Sequence, residues 1–153
     1  MPTPFFARSC SALLLLVAAC GAALAQQATP VGLWKTIDDD GKTEKSLVRI
    51  TDGGGVITGK VEKIFDPAKA NAKCEKCEGE LKDQPVVGMA IITNVKQDPE
   101  ETNLWNGGQI VDPNNGKSYK VRLKPVEGGK KLEVRGYIGT PFLGRTQTWI
   151  RVE

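Results

Sequence analysis

Residues 118–138 read SYKVRLKPVEGGKKLEVRGYI, and this stretch carries the clearest fold signal in the chain. Apolar and charged residues alternate on both sides of a short Glu-Gly-Gly turn. On the first side Tyr119, Val121 and Leu123 alternate with lysine and arginine, and on the second Leu132 and Val134 alternate with lysine, glutamate and arginine. Such alternation is typical of antiparallel strands that bury one face and expose the other to water. The stretch therefore predicts a β-hairpin.

Similar strand-like runs, separated by turn signals, fill the rest of the chain. Eight runs are predicted as strands: 31–37, 44–50, 56–65, 89–95, 104–111, 118–126, 131–138 and 144–152. The only helix candidate is a turn or two within residues 66–76. A meander of eight strands avoids exposed edges by closing on itself. We therefore predict an all-β fold, an eight-stranded antiparallel up-and-down barrel that is lipocalin-like, with a β-sandwich as the alternative.

The two ends of the chain carry a matched pair of residues. Trp34 stands in a Gly-Leu-Trp sequence in the first predicted strand, and Arg151 stands in the last. A guanidinium group stacked on an indole is stabilised by packing and by cation–π attraction. In lipocalin-like barrels a tryptophan of the first strand is covered in this way. We therefore predict that Trp34 and Arg151 close one barrel end.

The N-terminus predicts export. A short segment with one arginine is followed by the apolar run 12–20 and by Ala-Leu-Ala before Gln26. This is the pattern of a secretory signal peptide, which we predict to span residues 1–25. Residues 26–153 then form a single barrel domain in the periplasm or outside the cell. The alternative is a lipoprotein, anchored to a membrane at Cys20 by the lipobox-like sequence 17–20.

Composition excludes several classes of function. The chain has no histidine, so His-based catalytic triads cannot form and the commonest metal ligand is missing. Its net charge is only +3, with acidic and basic residues interspersed, which argues against a nucleic-acid footprint. No run after the N-terminus approaches the length of a membrane-spanning helix. We predict no metal, no cofactor and no nucleic-acid partner.

Several motifs resemble those of a known family. The sequences at 105–119 (WNGGQIVDPNNGKSY) and 135–149 (RGYIGTPFLGRTQTW) are its most specific parts, together with Gly-Leu-Trp and residues 74–88. They resemble a family of small exported bacterial proteins of unknown function. The resemblance covers about residues 31–152. It implies a lipocalin-like barrel in the periplasm and no established activity.

Cys74 and Cys77 form a C-x-x-C in the longest predicted loop. A closed zinc site needs four ligands, and neither histidine nor a further cysteine pair is present after residue 25. A redox-active pair usually lies at a helix N-terminus in a βαβ setting, which is missing here. In an oxidising compartment a local disulfide is the expected state. We predict a structural Cys74–Cys77 disulfide, with thiol–redox chemistry as the less favoured alternative.

A barrel of eight strands is either filled by side chains or shaped around one ligand. Mid-sized aliphatic residues mixed with threonine and glycine favour a modest cavity. The residues predicted to line it are Leu47, Ile57, Val61, Ile91, Leu123, Val134 and Ile150. We therefore predict a non-enzymatic protein that binds a small apolar or amphipathic ligand. The alternative is an envelope structural or interaction protein with a filled barrel.

Overall fold

The computed structural model describes residues 28–153. The predicted signal peptide, the lipidation candidate Cys20 and the domain start at Gln26 lie outside these residues. The eight strands are β1 (Gly32–Ile37), β2 (Glu44–Asp52), β3 (Ile57–Ile64), β4 (Ala90–Gln97), β5 (Trp105–Asp112), β6 (Lys117–Val126), β7 (Lys131–Tyr137) and β8 (Gly144–Arg151).

The strands form one closed barrel in sequence order. Each strand pairs antiparallel with the next, and β1 also pairs with β8, where Trp34 lies opposite Arg151 and Lys35 opposite Ile150. The predicted eight-stranded up-and-down barrel is confirmed, and the sandwich alternative is wrong. No helix in the described part of the chain is both long and apolar enough to cross a membrane.

The connections divide the barrel into two ends. We call the end that holds the β2–β3, β4–β5 and β6–β7 turns, with the start of β1 and the end of β8, the closed end. The other end, the open end, holds the β1–β2, β5–β6 and β7–β8 turns and the long β3–β4 connection. Where a short helix was predicted in that connection, only a 3₁₀ turn forms at Pro67–Lys69, capped by the Asp66 carboxylate.

Large apolar side chains fill the barrel from the closed end to its middle. The fully buried ones include Trp34, Val48, Ile50, Ile57, Ile92, Val95, Val121, Leu123 and Leu132. They come from six of the eight strands and belong to one contiguous core. Since burial of such side chains is the main favourable term in folding, this half supplies most of the barrel's stability.

Arg151 clamps the closed end. Its guanidinium carbon lies 4.1 Å from the centre of the Trp34 ring. Its Nε donates to the carbonyl oxygen of Gly129, Nη1 to that of Val31 and Nη2 to that of Thr29. Burial lowers the pKa of Arg151, although a guanidinium remains charged at any physiological pH. The predicted contact between Trp34 and Arg151 is therefore present, and it ties the residues before β1 to the β6–β7 turn.

The glycine of the Gly-Leu-Trp sequence has a steric role in this clamp. Gly32 has a φ of +144°, and a Cβ atom there would overlap Nη1 of Arg151 and the carbonyl oxygen of Glu153. Trp34 completes the seal by donating from Nε1 to the carbonyl oxygen of Pro30 at 2.7 Å. The short motif thus combines the space for the guanidinium with the ring on which it stacks.

Candidate functional site

The open end contains a cavity of about 540 Å³ that reaches into the barrel from its mouth. Its floor and inner wall are apolar, formed by Ile91, Ile110, Val134 and Trp149. Trp149 is only 2 % exposed, so its indole separates the cavity from the packed half. A cavity above a tryptophan floor is suited to an apolar group that enters from the mouth.

The cavity exists because inward-facing side chains become smaller towards the open end. Alternate residues of a strand face the same side of the sheet. Along β2 the inward series runs Ile50, Val48, Ser46, and along β7 it runs Leu132, Val134, Gly136, while β1 changes from Trp34 to Thr36. The same strands therefore fill one half of the barrel and leave the other half hollow.

Hydrogen-bonded polar groups of β1, β2, β8 and the β1–β2 turn line the space above the floor. The hydroxyl groups of Thr36 and Ser46 lie 2.8 Å apart on β1 and β2. Trp149 donates from Nε1 to Oε1 of Gln147 at 3.1 Å, and Nε2 of Gln147 donates to Oδ1 of Asp39 at 2.9 Å. Among the described residues no buried side-chain nitrogen or oxygen lacks a partner. These polar groups therefore have hydrogen-bond partners without a ligand. They can still offer hydroxyl and amide groups to a ligand in the cavity.

Ion pairs hold the β1–β2 turn at the mouth. Arg145 Nη1 lies 2.8 Å from Oδ2 of Asp39, and Lys45 Nζ lies 3.2 Å from Oδ2 of Asp38. A hydrogen bond from the backbone amide of Asp39, followed by one from Lys45, lowers the pKa of Asp38. Both carboxylates are therefore engaged in ion pairs, which does not favour a role as a proton-accepting base.

The disulfide braces the same end of the barrel. Cys74 and Cys77 are bonded, as predicted, and both side chains are buried. Sγ of Cys74 lies 3.5 Å from the carbonyl oxygen of Pro113 in the β5–β6 turn. Gly116, in the same turn, has a φ of +71°, and a Cβ atom there would overlap the carbonyl group of Lys76. The disulfide thus fixes the β3–β4 connection against the rim, and its burial is unlike the partial exposure of reactive cysteines.

Comparison with known proteins places this chain in a family. Residues 32–151 match the family described as "Uncharacterized protein conserved in bacteria (DUF2147)". The chain belongs to this family. The resemblance to a bacterial family of unknown function, inferred from the motifs, is therefore confirmed. No curated protein matches the chain.

One similar solved structure from Helicobacter pylori is described as "Protein HP1028 from the human pathogen Helicobacter pylori belongs to the lipocalin family". It shares 20% sequence identity with this chain, and the match covers 82% of this chain and 84% of the other, with a TM-score of 0.70. The likeness confirms the lipocalin-like barrel of this DUF2147 member. At that identity it concerns the fold and not the ligand.

Of the seven predicted cavity residues, five are buried inside the barrel and two lie on its outer wall. Ile91 and Val134 line the cavity. The other buried members, Ile57, Val61 and Leu123, belong to the packed core and do not line it.

The prediction that Leu47 and Ile150 line the cavity is wrong, because the structure places both on the outer wall. Leu47 alternates with the buried Val48, and it pairs with Lys35 and with Lys63 across the sheet. Ile150 is 41% exposed.

Strand alternation contains the signal that would have prevented these errors. If Arg151 faces inward over Trp34, then Trp149 and Gln147 face inward too, and Ile150 faces outward. That reasoning identifies the tryptophan floor, which the prediction missed. Ile91 is a special case, since the pairing of β3 with β4 shifts register beside it, and both Ile91 and Ile92 are buried.

Proposed function

We propose that this protein is a non-enzymatic binding protein, which holds one small amphipathic molecule in the open half of its barrel. The apolar part of the ligand would lie against Ile91, Ile110, Val134 and Trp149. Its polar end would lie near Gln147 and the mouth. The observation that carries the proposal is the open cavity with an apolar floor and a polar rim.

Size and chemistry both support binding. Small-molecule sites typically measure about 300 to 1,000 Å³ and combine apolar walls with a few polar groups that orient the ligand. A cavity of about 540 Å³ lies within that range. The chain lacks histidine, and two carboxylates at the mouth, those of Asp38 and Asp39, are held in ion pairs, so the arrangement supports binding better than catalysis.

We further propose that binding takes place in the periplasm. The predicted signal peptide supports export, and the Cys74–Cys77 disulfide is of the kind that persists in oxidising compartments. Mass spectrometry of the protein purified natively from periplasmic extract should then detect a bound small molecule in the folded barrel, which organic extraction releases.

A variant that fills the cavity tests the site directly. In Val134→Phe a phenyl ring would enter the hollow space at the inner wall. The matched control is Ile150→Phe, which adds a ring of the same size on the outer face of the neighbouring strand. With 8-anilinonaphthalene-1-sulfonate, an amphipathic fluorescent probe, we expect Val134→Phe to weaken binding at least ten-fold and Ile150→Phe to leave it unchanged.

Two outcomes would contradict the proposal. One is equal probe affinity in Val134→Phe and in the unchanged protein, with both folded by circular dichroism. The other is natively purified protein that carries no small molecule and does not bind the probe. That second result would favour the interaction protein as the function.

A further inference from the structure

The β7–β8 turn, residues 138–143, presents large apolar side chains to solvent. Phe142 is 93% exposed, Leu143 is 75% exposed and Ile138 is 62% exposed. The other exposed large apolar residues in the described chain, Val31, Val87, Ile150 and Val152, are less exposed, from 36% to 49%. Scattered apolar residues are normal, whereas a cluster at one tip indicates an interaction site. We call residues 138–143 the apolar tip.

The fold holds the apolar tip in one conformation. Arg135 donates from Nε to the carbonyl oxygen of Pro141 at 2.7 Å and from Nη1 to the Thr146 hydroxyl at 2.8 Å. Within the turn, the amide of Leu143 donates to the carbonyl oxygen of Thr140 at 3.0 Å. A turn fixed in this way presents its side chains without a large entropic cost on binding.

Charge is distributed around the tip in a simple pattern. No charged residue occurs from position 136 to position 144, and an arginine stands on either side, Arg135 and Arg145. Arg135 is engaged in holding the turn, but the side chain of Arg145 is 63% exposed despite its ion pair with Asp39. Because Arg145 is paired with Asp39, and Asp38 and Asp40 stand in the same turn, the mouth carries no cationic excess. The feature that matches a lipid surface is therefore the apolar side chains of the tip, which acyl chains can accommodate.

The apolar area of the tip is small, which favours a membrane over a protein partner. A stable protein interface buries about 800 Å² on each side. One phenylalanine and two aliphatic side chains supply on the order of 400 Å², since even a fully buried aromatic residue contributes only about 150 to 250 Å². A bilayer needs no complementary surface, so a small convex tip can enter it. We infer that the apolar tip docks the barrel, mouth first, on a lipid surface.

This orientation bears on the cavity. Ile138 and Leu143 belong to the apolar tip and also line the mouth. Docking therefore brings the entrance of the cavity to the boundary between headgroups and acyl chains, where an amphipathic ligand could enter or leave. Only this consequence rests on the proposed function, because docking itself does not require a ligand.

Vesicle sedimentation tests the docking. All proteins carry Cys20→Ser, so that no lipid anchor can hold them to vesicles. The probe is a vesicle of phosphatidylethanolamine and phosphatidylglycerol, compared with one of phosphatidylcholine alone. We expect Phe142→Ser combined with Leu143→Ser to lower partitioning at least ten-fold. The matched control is Ile150→Ser combined with Val152→Ser, which replaces two apolar residues outside the tip. Its partitioning should stay within two-fold of that of the unchanged protein.

A second pair of variants tests the contribution of charge. Arg145→Gln removes a cation that is already paired with Asp39 and leaves the apolar side chains in place, so partitioning should stay within two-fold on both kinds of vesicle. Lys96→Gln, an exposed lysine near the closed end, removes the same charge away from the tip and should have no effect.

The inference fails if the tip variant sediments with vesicles as well as its control does, or if the unchanged protein does not sediment at all. It also fails if sedimentation velocity shows a dimer that only the tip variant loses, because the tip would then bind a second copy. Val134→Phe separates the two proposals. It should keep vesicle binding while it loses the anilinonaphthalene probe, so either property can be absent without the other.

Discussion

The closed and open ends of the barrel are made from the same eight strands, yet they differ in what fills them. At the closed end, large side chains pack around Trp34, and Arg151 covers the ring. At the open end, Ser46 and Gly136 occupy inward positions and leave a cavity above Trp149. Stability is concentrated in one half of the molecule, and the other half is free to serve binding.

The difference shows how a filled barrel and a hollow one can be combined in a single small domain. A complete cavity would remove the core on which a chain of this size depends, while a complete core would leave no binding site. Here the packed half supports a rim that is braced by the Cys74–Cys77 disulfide and by ion pairs. We therefore expect substitutions at the closed end to affect folding and those at the open end to affect binding.

The largest expected effect is that of Trp34→Ala. Its indole is fully buried and packed, and removal of a core aromatic residue costs about 3 to 5 kcal/mol. The same change at the cavity floor, Trp149→Ala, should cost less, because Trp149 lines the cavity and carries no stacked guanidinium such as the one that covers Trp34. Urea unfolding followed by circular dichroism measures both free energies of unfolding.

Trp34→Phe keeps the measurement possible if Trp34→Ala does not fold. It retains a ring under Arg151 but loses the hydrogen bond from Nε1 to Pro30. Equal destabilisation by Trp34→Ala and Trp149→Ala would show that the two halves are packed alike, and the contrast between them would have to be abandoned.

The next effect concerns the two arginines of β8. Arg151→Lys should destabilise the barrel by about 2 kcal/mol, because an ammonium group cannot reach the three carbonyl oxygens that the guanidinium binds or stack in the same way. At the mouth, Arg145→Lys keeps an exposed ion pair with Asp39 and should change stability by less than about 0.5 kcal/mol.

Thermal unfolding of these two variants at equal protein concentration gives the comparison. If Arg151→Lys melts at the temperature of the unchanged protein, the clamp does not contribute to stability, and the closed end is held by packing alone.

The sequence predicts the barrel well because the relevant signals are local. Alternation in residues such as Val121 and Leu123 defines the strands, and turn residues such as Gly116 define their ends. The cavity was predicted less well because apolar character was used without strand alternation, which misplaced Leu47 and Ile150. Hydrophobicity identifies strand residues, but only their position relative to a known inward residue says which face they occupy.

Other features of the site depend on contacts between distant segments. The disulfide was predictable from the spacing of Cys74 and Cys77, but its packing against Pro113 was not, because 39 residues separate Cys74 from Pro113. In the same way, the network from Gln147 to Asp39 joins the two ends of the chain, 108 positions apart, and appears only once the barrel closes.

The smallest expected effect is a pH dependence of the β1–β2 turn at the mouth. Hydrogen bonds from the side chain and the amide of Thr43, and from the amide of Lys42, lower the pKa of Asp40 to about 2. An unfolded aspartate titrates near pH 4, so the ordering of the turn is complete above about pH 4 and is lost as the pH falls towards 2. The clamp at the closed end binds carbonyl oxygens, which do not titrate in this range.

Carbon-13 NMR of the Asp40 carboxyl group measures its pKa, and amide hydrogen exchange measures the order of the turn. Between pH 4 and pH 2 we expect the protection of the Thr43 amide, corrected for the intrinsic exchange rate, to fall, while that of Arg151 stays constant. Asp40→Asn should remove this pH dependence, because the amide group does not titrate there. If both amides lost protection together over that range, acid would be acting on the whole barrel, and the mouth would not be separable from the core.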